Sequence, residues 1–341
     1  MSGKWSIFVA SALKLGANFC TMAQKKGIDM SIPFIGRAEI EDKLSWSKVA
    51  DAIFDGHKRS KARLGDLFLN REEDQSTMLN RAAWIDDLGL AMKAVTVYPK
   101  NAQREPAIPT IHGVVILFDD ESGQVKALVD GQLVTKWKTA ADSVLGARLL
   151  ARPDSRKLLV VGSGVVAESL VDAYRDVFPD LSQIQIWSRT HANAQDLAAK
   201  KGCEAVEDLA AAVGNADIVT SATMAREPFI QGAWAQSGTH FDLIGAFKDG
   251  MREADDALLQ KARIFVDSRE TTIDHIGELK DPIARGVISE KDVLADYYDM
   301  VQPDCAMRTD ASDVTLFKNG GGAHLDLMVT NAIYDIWSAA Q

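Results

Sequence analysis

The sequence has few of the residues that build metal sites. Its 341 residues include three cysteines and six histidines. Cys20, Cys203 and Cys305 are odd in number and far apart, and no paired-cysteine motif occurs. No histidine and acidic residues stand at ligand spacing, so we expect no metal. Sparse, unpaired cysteine is typical of the reducing cytoplasm, where we expect this protein to work.

Long hydrophobic runs and an excess of positive charge are also missing. No apolar stretch reaches the roughly 18 residues of a membrane span, so we expect no membrane partner. Lysine and arginine number 38 against 48 acidic residues, and the resulting net charge of −10 argues against nucleic acid as a partner. The length and a hydrophobic content of 47% predict a soluble enzyme with two domains.

What the chain does have is a glycine-rich turn between an apolar strand and a helical pattern. The run 157–161 enters Gly-Ser-Gly-Val-Val-Ala at 162–167, and a second strand at 184–187 ends about 20 residues later, as in dinucleotide-binding units. Gly162 permits the tight turn, and Gly164 lets the backbone approach a pyrophosphate. The predicted phosphate-binding residues are Gly162, Ser163, Gly164, Val165 and Val166.

The end of that second strand predicts the cofactor. An NAD-specific site places an acidic residue there, but this chain has Ser188, Arg189 and Thr190. A guanidinium and two hydroxyls suit a 2′-phosphate, so the site favours NADP(H), with NAD(H) as the alternative. An exposed loop arginine without a ligand is the other interpretation of Arg189.

Hydrophobic periodicity predicts an α/β fold with a doubly wound parallel sheet. After residue 157, strands and amphipathic segments alternate. The last helix, 323–337, should pack on the N-terminal part, and residues 1–30 are interpreted as a floppy extension or a start upstream of Met22 or Met30. The predicted helices are 39–59 and 139–150, and the predicted strands are 67–69, 78–85, 88–98, 111–118, 125–129, 184–187, 205–206, 217–222, 241–244 and 264–266.

Several sequence blocks together resemble the ornithine cyclodeaminase and mu-crystallin family. The resemblance implies a Rossmann domain, 139–304, and a smaller substrate-binding and dimerisation α/β domain, 31–138 and 305–341, in a homodimer. That family includes cyclodeaminases, archaeal alanine dehydrogenases and reductases of cyclic ketimines. The blocks are Leu-Val-Asp-Gly-Gln-Leu-Val-Thr at 128–135, Lys-Thr-Ala-Ala-Asp-Ser at 138–143, Gly-Ser-Gly at 162–164, Trp-Ser-Arg-Thr at 187–190, Ala-Asp-Ile-Val at 216–219, Leu-Ile-Gly at 243–245 and Val-Thr-Leu-Phe-Lys-Asn-Gly-Gly-Gly at 314–322.

One departure from the family pattern indicates the reaction. Cyclodeaminases of the family carry a catalytic aspartate shortly after the glycine that matches Gly245, and here that position is Phe247. Deamination and ring closure lose their general acid/base without it, whereas imine reduction needs less. With Phe247 at this position, the chain resembles the ketimine reductase branch of the family. The alternative is that Phe247 only fills a wall and that Asp310 or Asp313 supplies the acid.

The resemblance also implies site residues. Lys93 matches the family's active-site lysine, and Arg71, or alternatively Arg81, matches the arginine that holds the substrate carboxylate. Lys138 replaces the usual arginine and is a candidate to bind the cofactor pyrophosphate or, alternatively, the substrate carboxylate. His112 is a candidate proton donor. His324 and Asp326 are interpreted as the polar first turn of the last helix. Further cofactor-binding candidates are Thr139, Thr223, Gly245 and Asn319.

These features predict an NADPH-preferring reductase of a small cyclic imino acid, giving proline- or pipecolate-type products. The enzyme alternatives are a cyclodeaminase acting on ornithine or lysine and an alanine-type amino-acid dehydrogenase. A mu-crystallin-like small-molecule binding protein is the alternative from another class.

Overall fold

Two β-sheets of different construction organise residues 32–341, which are the residues described by the computed structural model. The N-terminal part forms an antiparallel sheet, and the chain from residue 157 onward forms a parallel one. Residues Ile35–Gln341 form one compact body. The strands are β1 (Phe34–Ile35), β2 (Arg63–Arg71), β3 (Ser76–Ile85), β4 (Gly89–Val97), β5 (Ile111–Phe118), β6 (Val125–Asp130), β7 (Lys157–Val161), β8 (Gln183–Trp187), β9 (Glu204–Ala205), β10 (Ile218–Ser221), β11 (His240–Leu243), β12 (Arg263–Val266), β13 (Val293–Ala295) and β14 (Thr315–Lys318).

Helices connect and cover these strands. The helices are α1 (Arg37–Ile40), α2 (Trp46–His57), α3 (Gly131–Leu150), α4 (Val165–Val177), α5 (His191–Lys201), α6 (Leu209–Asn215), α7 (Asp256–Lys261), α8 (Arg269–Thr272), α9 (Gly277–Ala284), α10 (Tyr297–Met300) and α11 (Ala323–Ser338). Short 3-10 segments are Glu41–Lys43, Pro99–Gln103, Gly232–Trp234 and Glu290–Asp292.

The antiparallel sheet places two cationic side chains next to each other. Its strands follow the order β1-β6-β5-β4-β3-β2, and the predicted hairpin turns at Asp86 and Asp87 between β3 and β4. In this register Arg81 lies directly opposite Lys93, and Asp66 of β2 lies opposite Arg81. Directly opposed residues share one face of a sheet, so these three side chains form a row across it.

The parallel sheet confirms the doubly wound prediction. Its order is β13-β12-β14-β11-β10-β7-β8-β9, and all neighbours run parallel. The order reverses direction around β7, where ligands bind at the carboxyl ends of such strands. Two strands, β13 and β14, were not predicted. Because β14 pairs with β11 and β12, the sheet does not follow the predicted boundary at residue 305.

Helix α3 joins the two sheets. It was predicted to begin at Thr139 but begins at Gly131, because the Asp130 carboxylate accepts the backbone N–H groups of Gln132 and Leu133 at 2.7 and 3.2 Å and caps the helix. It contacts β5 of the antiparallel sheet and β11 and β14 of the parallel sheet. The helix therefore runs through the predicted boundary at 138/139.

The remaining helix predictions have mixed outcomes. The predicted helix 39–59 is interrupted before α2, where the Ser45 hydroxyl accepts the N–H of Lys48 and starts a new helix. The last helix, α11, packs on β3 and β4 as expected. No helix within residues 32–341 combines the length and apolar character needed to cross a membrane. The predicted extension, 1–30, lies outside the described residues.

Candidate active site

A cavity of about 750 Å³ lies where the antiparallel sheet meets helix α3 and the start of α4. Its volume is in the range of small-molecule sites. Apolar and charged side chains both line it. The apolar ones include Leu79, Val95, Pro109, Ile111 and Phe247, and the charged ones are Arg81, Lys93, Lys136, Lys138 and Asp326.

Lys93 projects from the centre of β4 into this cavity. The alternation of a strand puts Lys93 and Val95 on the cavity side, whereas Met92 and Ala94 do not line it. The lysine is 7% exposed, and its Nζ donates to the Thr135 hydroxyl at 2.5 Å. Burial lowers the pKa of Lys93 from its ordinary value, although the charge of Asp326 partly opposes the shift.

Asp326, on the first turn of α11, links Lys93 to Lys138. One carboxylate oxygen, Oδ1, lies 3.1 Å from Lys93 Nζ and 2.9 Å from Lys138 Nζ. Burial alone would raise the pKa of Asp326, but the charges of Lys138 and Lys93 outweigh it and hold that pKa at about 2. Two cations and one anion therefore leave this cluster with one net positive charge.

The position of Asp326 in the sequence gives no sign of its contacts with the two lysines. An acidic residue in the first turn of a helix is stabilised by the helix dipole, so its position needs no further explanation. Lys93 stands 233 positions away in sequence, and only the packing of α11 on β4 brings the two together. The contact between this carboxylate and two lysines becomes visible only once the topology of the fold is known.

The structure separates Arg71 from the cavity. Arg71 ends β2 opposite Ser76, is mostly exposed, and donates its Nε to Asp74 at 2.9 Å. Arg81 lines the cavity instead, opposite Lys93, and donates its Nε to Asp66 at 3.0 Å. Strand register decides between these arginines, and it places the alternative, Arg81, beside the lysines.

The three candidate proton donors, His112, Asp310 and Asp313, also lie outside the cavity. His112 is exposed, and its Nε2 lies 2.9 Å from the Pro109 carbonyl oxygen; its strand neighbours Ile111 and Gly113 line the cavity, so His112 faces the opposite side of β5. Asp310 and Asp313 accept hydrogen bonds within their own loop. Because none of these groups borders the cavity, the structure offers no geometric support for a direct role.

The glycine-rich turn has the shape expected of a phosphate site. Gly162 has a φ of +128°, and a Cβ there would come within 2.7 Å of the Ala222 carbonyl oxygen, so only glycine fits. A Cβ on Gly164 would meet nothing within 4 Å. Gly164 is the N-cap of α4 and offers no side-chain cap, which leaves the first-turn N–H groups for an anion. These residues fit a dinucleotide pyrophosphate.

The predicted ribose site lies beside this turn. Ser163 donates its hydroxyl to Ser188 at 3.0 Å and so connects the turn to the end of β8. Arg189 and Thr190 are exposed there. The exposed start of α4, Val165 and Val166, borders the cavity. A cofactor bound along this edge would extend from Arg189 into the cavity that Lys93 lines.

The loops that carry the remaining predicted cofactor residues are held by the buried side chains of Glu253 and Asn319. Glu253 accepts the N–H of Thr223 at 2.9 Å with one oxygen and the N–H of Gly245 at 2.7 Å with the other. This carboxylate thereby joins the loops that follow β10 and β11. Asn319 donates its Nδ2 to the Thr139 carbonyl at 3.1 Å. Thr139 lines the cavity, so Asn319 stabilises the cavity wall through this hydrogen bond.

Phe247 lines the cavity together with Val165 and Val166 at the start of α4. It follows β11, lines the cavity, and is 54% exposed. Among residues 32–341, Asp326 is the acidic residue that borders the cavity, and it is paired with two lysines. The position that the resemblance assigned to a catalytic aspartate is therefore an apolar surface in the site.

Comparisons with known proteins show which family the chain resembles. Residues 71–341 match the model of the ornithine cyclodeaminase/mu-crystallin family. The chain is 52% identical over 305 residues to the Delta(1)-pyrroline-2-carboxylate reductase of Paracoccus denitrificans, covering 88% of this chain and 95% of that protein. It is 32% identical over 257 residues to the ketimine reductase mu-crystallin of Mus musculus, covering 74% and 77%.

Similar solved structures include two reductases. The Delta(1)-pyrroline-2-carboxylate reductase of Thermococcus litoralis, in complex with NADH and L-proline, has a TM-score of 0.81 and 26% identity, with 91% of this chain and 98% of that chain covered. The iminosuccinate reductase of Paracoccus denitrificans, in complex with NAD⁺, has a TM-score of 0.81 and 25% identity, with 91% and 97% covered.

Proposed function

The chain belongs to the ornithine cyclodeaminase/mu-crystallin family, and from that membership we propose that it is an NAD(P)H-dependent reductase of small cyclic imino acids. Its substrates are Δ1-pyrroline-2-carboxylate and Δ1-piperideine-2-carboxylate, and its products are proline and pipecolate. The high identity to a Delta(1)-pyrroline-2-carboxylate reductase over most of both chains supports this class of substrate.

The observation that carries the proposal is the apolar Phe247 in the cavity wall. Cyclodeamination needs a group that moves protons while ammonia departs, and Phe247 has none. The lysine cluster instead holds a carboxylate, and the apolar wall receives a hydrocarbon ring. The nicotinamide cofactor, when bound, supplies the hydride, so the protein needs mainly to position the imine carbon and exclude water.

We propose that the preferred cofactor is NADPH. The exposed Arg189 guanidinium and the hydroxyls of Ser188 and Thr190 are donors suited to a 2′-phosphate, and no acidic side chain stands at the end of β8 to hold a ribose hydroxyl instead. Two similar solved structures contain NADH or NAD⁺. The proposed preference of this chain for NADPH therefore rests on Ser188, Arg189 and Thr190 alone.

We also propose that the protein is a homodimer joined through β2. This strand pairs only with β3 among the described residues, and Leu67, Phe68 and Leu69 are 52%, 58% and 54% exposed. Three consecutive exposed apolar residues on an edge strand invite association with another chain. A two-fold dimer covers the same patch on both copies.

A substrate panel tests the proposed reaction. Purified protein is incubated with NADPH and with cyclic ketimines of five- and six-membered rings, and in parallel with 2-oxo acids plus ammonia. We expect rapid NADPH oxidation with the cyclic ketimines and formation of proline or pipecolate. Absence of turnover with every cyclic ketimine, at enzyme concentrations that bind NADPH, would contradict the proposed function.

A further inference from the structure

The carboxylate of Asp326 uses only one of its two oxygens. Oδ1 meets both Lys93 and Lys138, whereas Oδ2 is buried and has no hydrogen-bond partner among the described residues. A buried, ionised carboxylate oxygen without a donor is costly. Asp326 borders the cavity, so a ligand bound against it can supply the missing donor once the carboxylate turns Oδ2 toward that ligand.

The charge pattern around Asp326 specifies what that ligand should carry. The ammonium groups of Lys93 and Lys138 lie 3.1 and 2.9 Å from one oxygen of the carboxylate. A ligand that complements them needs an anionic group and a positively charged N–H donor side by side. An imine whose carbon bears a carboxylate has this arrangement when its nitrogen is protonated.

We propose that Asp326 is a catalytic residue whose Oδ2 accepts the N–H of the protonated substrate imine, while Lys93 and Lys138 hold its carboxylate. This inference rests on the proposed reductase function. It assigns Asp326 to the recognition of the reactive iminium form, beyond its contacts with the two lysines.

The proposed contact fits the chemistry of reduction. The iminium carbon accepts a hydride, which the reduced nicotinamide cofactor supplies, and the C=N π electrons become a lone pair on nitrogen. The amine then takes a proton from water, so the product again has an N–H donor for Oδ2. Because Asp326 stays ionised at neutral pH, with a pKa of about 2, it favours the protonated imine there.

Ligand discrimination tests the contact without turnover. Proline has a carboxylate and an ammonium, whereas cyclopentanecarboxylate has the ring and carboxylate but no nitrogen. Wild type with NADP⁺ should bind proline about 10- to 150-fold more tightly than cyclopentanecarboxylate, as for a charged hydrogen bond. In Asp326→Asn this ratio should fall close to one, with cyclopentanecarboxylate bound at least as tightly as before.

The pH dependence of kcat supplies a second readout, because it reports ionisations in the substrate complex. We expect the alkaline fall of kcat in Asp326→Asn to begin about 1 to 2 pH units lower than in wild type, corresponding to the same 10- to 150-fold effect. Asp256→Asn is the matched control, since Asp256 also bridges two cations, Arg252 and Arg285, but does not line the cavity. It should change neither the binding ratio nor the pH profile.

The outcomes separate this inference from the function on which it rests. If wild type reduces cyclic ketimines and Asp326→Asn keeps the proline preference and the wild-type alkaline limb, the inference is overturned and the function stands. Parallel weakening of both ligands in Asp326→Asn, with the ratio preserved, also overturns it, because that result describes a merely structural residue. If wild type reduces no cyclic ketimine, the proposed function fails first.

Discussion

Arg189 carries most of the proposed cofactor preference. It is exposed at the end of β8, where a 2′-phosphate would receive its forked donors. Arg189→Ala should raise the KM for NADPH by about 10- to 150-fold, the value of a lost charged hydrogen bond, and change the KM for NADH little. Steady-state kinetics with both cofactors measure this difference.

A surface arginine elsewhere in the parallel sheet region provides the control. Arg156 precedes β7 and pairs with Asp180, at the amino end of the strands and away from the phosphate turn. Arg156→Ala should leave both KM values unchanged. Equal increases for NADPH and NADH in Arg189→Ala would remove the argument for NADPH.

Lys93 is the residue on which substrate binding most depends. Lys93→Met keeps an apolar stem of similar length but deletes the buried charge that faces Asp326 and the cavity. Imine reduction should fall by orders of magnitude, while NADPH affinity should change little because the cofactor phosphates bind at the glycine turn. Turnover assays and a fluorescence titration with NADPH measure the two effects.

Lys126→Met controls for the loss of a lysine from the same sheet. Lys126 lies over the ring of Tyr334 and does not line the cavity, so its variant should retain wild-type turnover. Near-normal turnover in Lys93→Met would make Lys93 a structural cation and move the substrate contact to Arg81 or Lys138.

Individual site residues differ in how far the sequence predicts them. Gly162 is predictable because its conformation excludes other residues, and Lys93 because an apolar strand tolerates a lysine only with an anionic partner. The resemblance favoured Arg71 over Arg81, and the strand register that places Arg81 in the cavity cannot be read from the sequence. Asp326 was missed because its partners come from other elements.

At the scale of elements, β2 is the strand that most needs a partner. Phe68→Lys places a charge in the centre of its exposed apolar run, which should convert the proposed dimer to a monomer. Sedimentation velocity measures the change. Leu294→Lys is the matched control, since Leu294 is 43% exposed on the edge strand β13 of the other sheet. Wild type that sediments as a monomer, or dimers that survive Phe68→Lys, would contradict the role of β2.

Elements with local signals were predicted best. The β3–β4 hairpin and the strands β7, β8 and β10 have apolar runs bounded by turns, and their periodicity defines them. Strand β14 was not predicted as a strand, because its buried run, 315–318, has only two apolar residues between a threonine and a lysine. Helix α3 begins eight residues before its predicted start. Asp130 caps it, and because Asp130 is also the last residue of β6, hydrophobic periodicity does not mark it as a helix start.

At the scale of the whole molecule, two sheets share one site. The parallel sheet supplies the phosphate turn and Phe247, the antiparallel sheet supplies Arg81 and Lys93, and helices α3 and α11 carry Lys138 and Asp326 between them. Such a site depends on contacts between distant parts of the chain. The family resemblance implied a substrate-binding domain beside a Rossmann domain, whereas periodicity alone predicted only separate strands and helices.

The comparison of two reactions in one preparation tests the reductase proposal most directly. Protein is given Δ1-pyrroline-2-carboxylate with NADPH in one assay and ornithine with NAD⁺ or NADP⁺ in the other, and proline, reduced cofactor and ammonia are all quantified. We predict one proline formed for each NADPH oxidised and no ammonia from ornithine, because Phe247 cannot serve as the acid or base that deamination needs. Ammonia release from ornithine at a rate comparable to imine reduction would contradict that prediction and identify a cyclodeaminase.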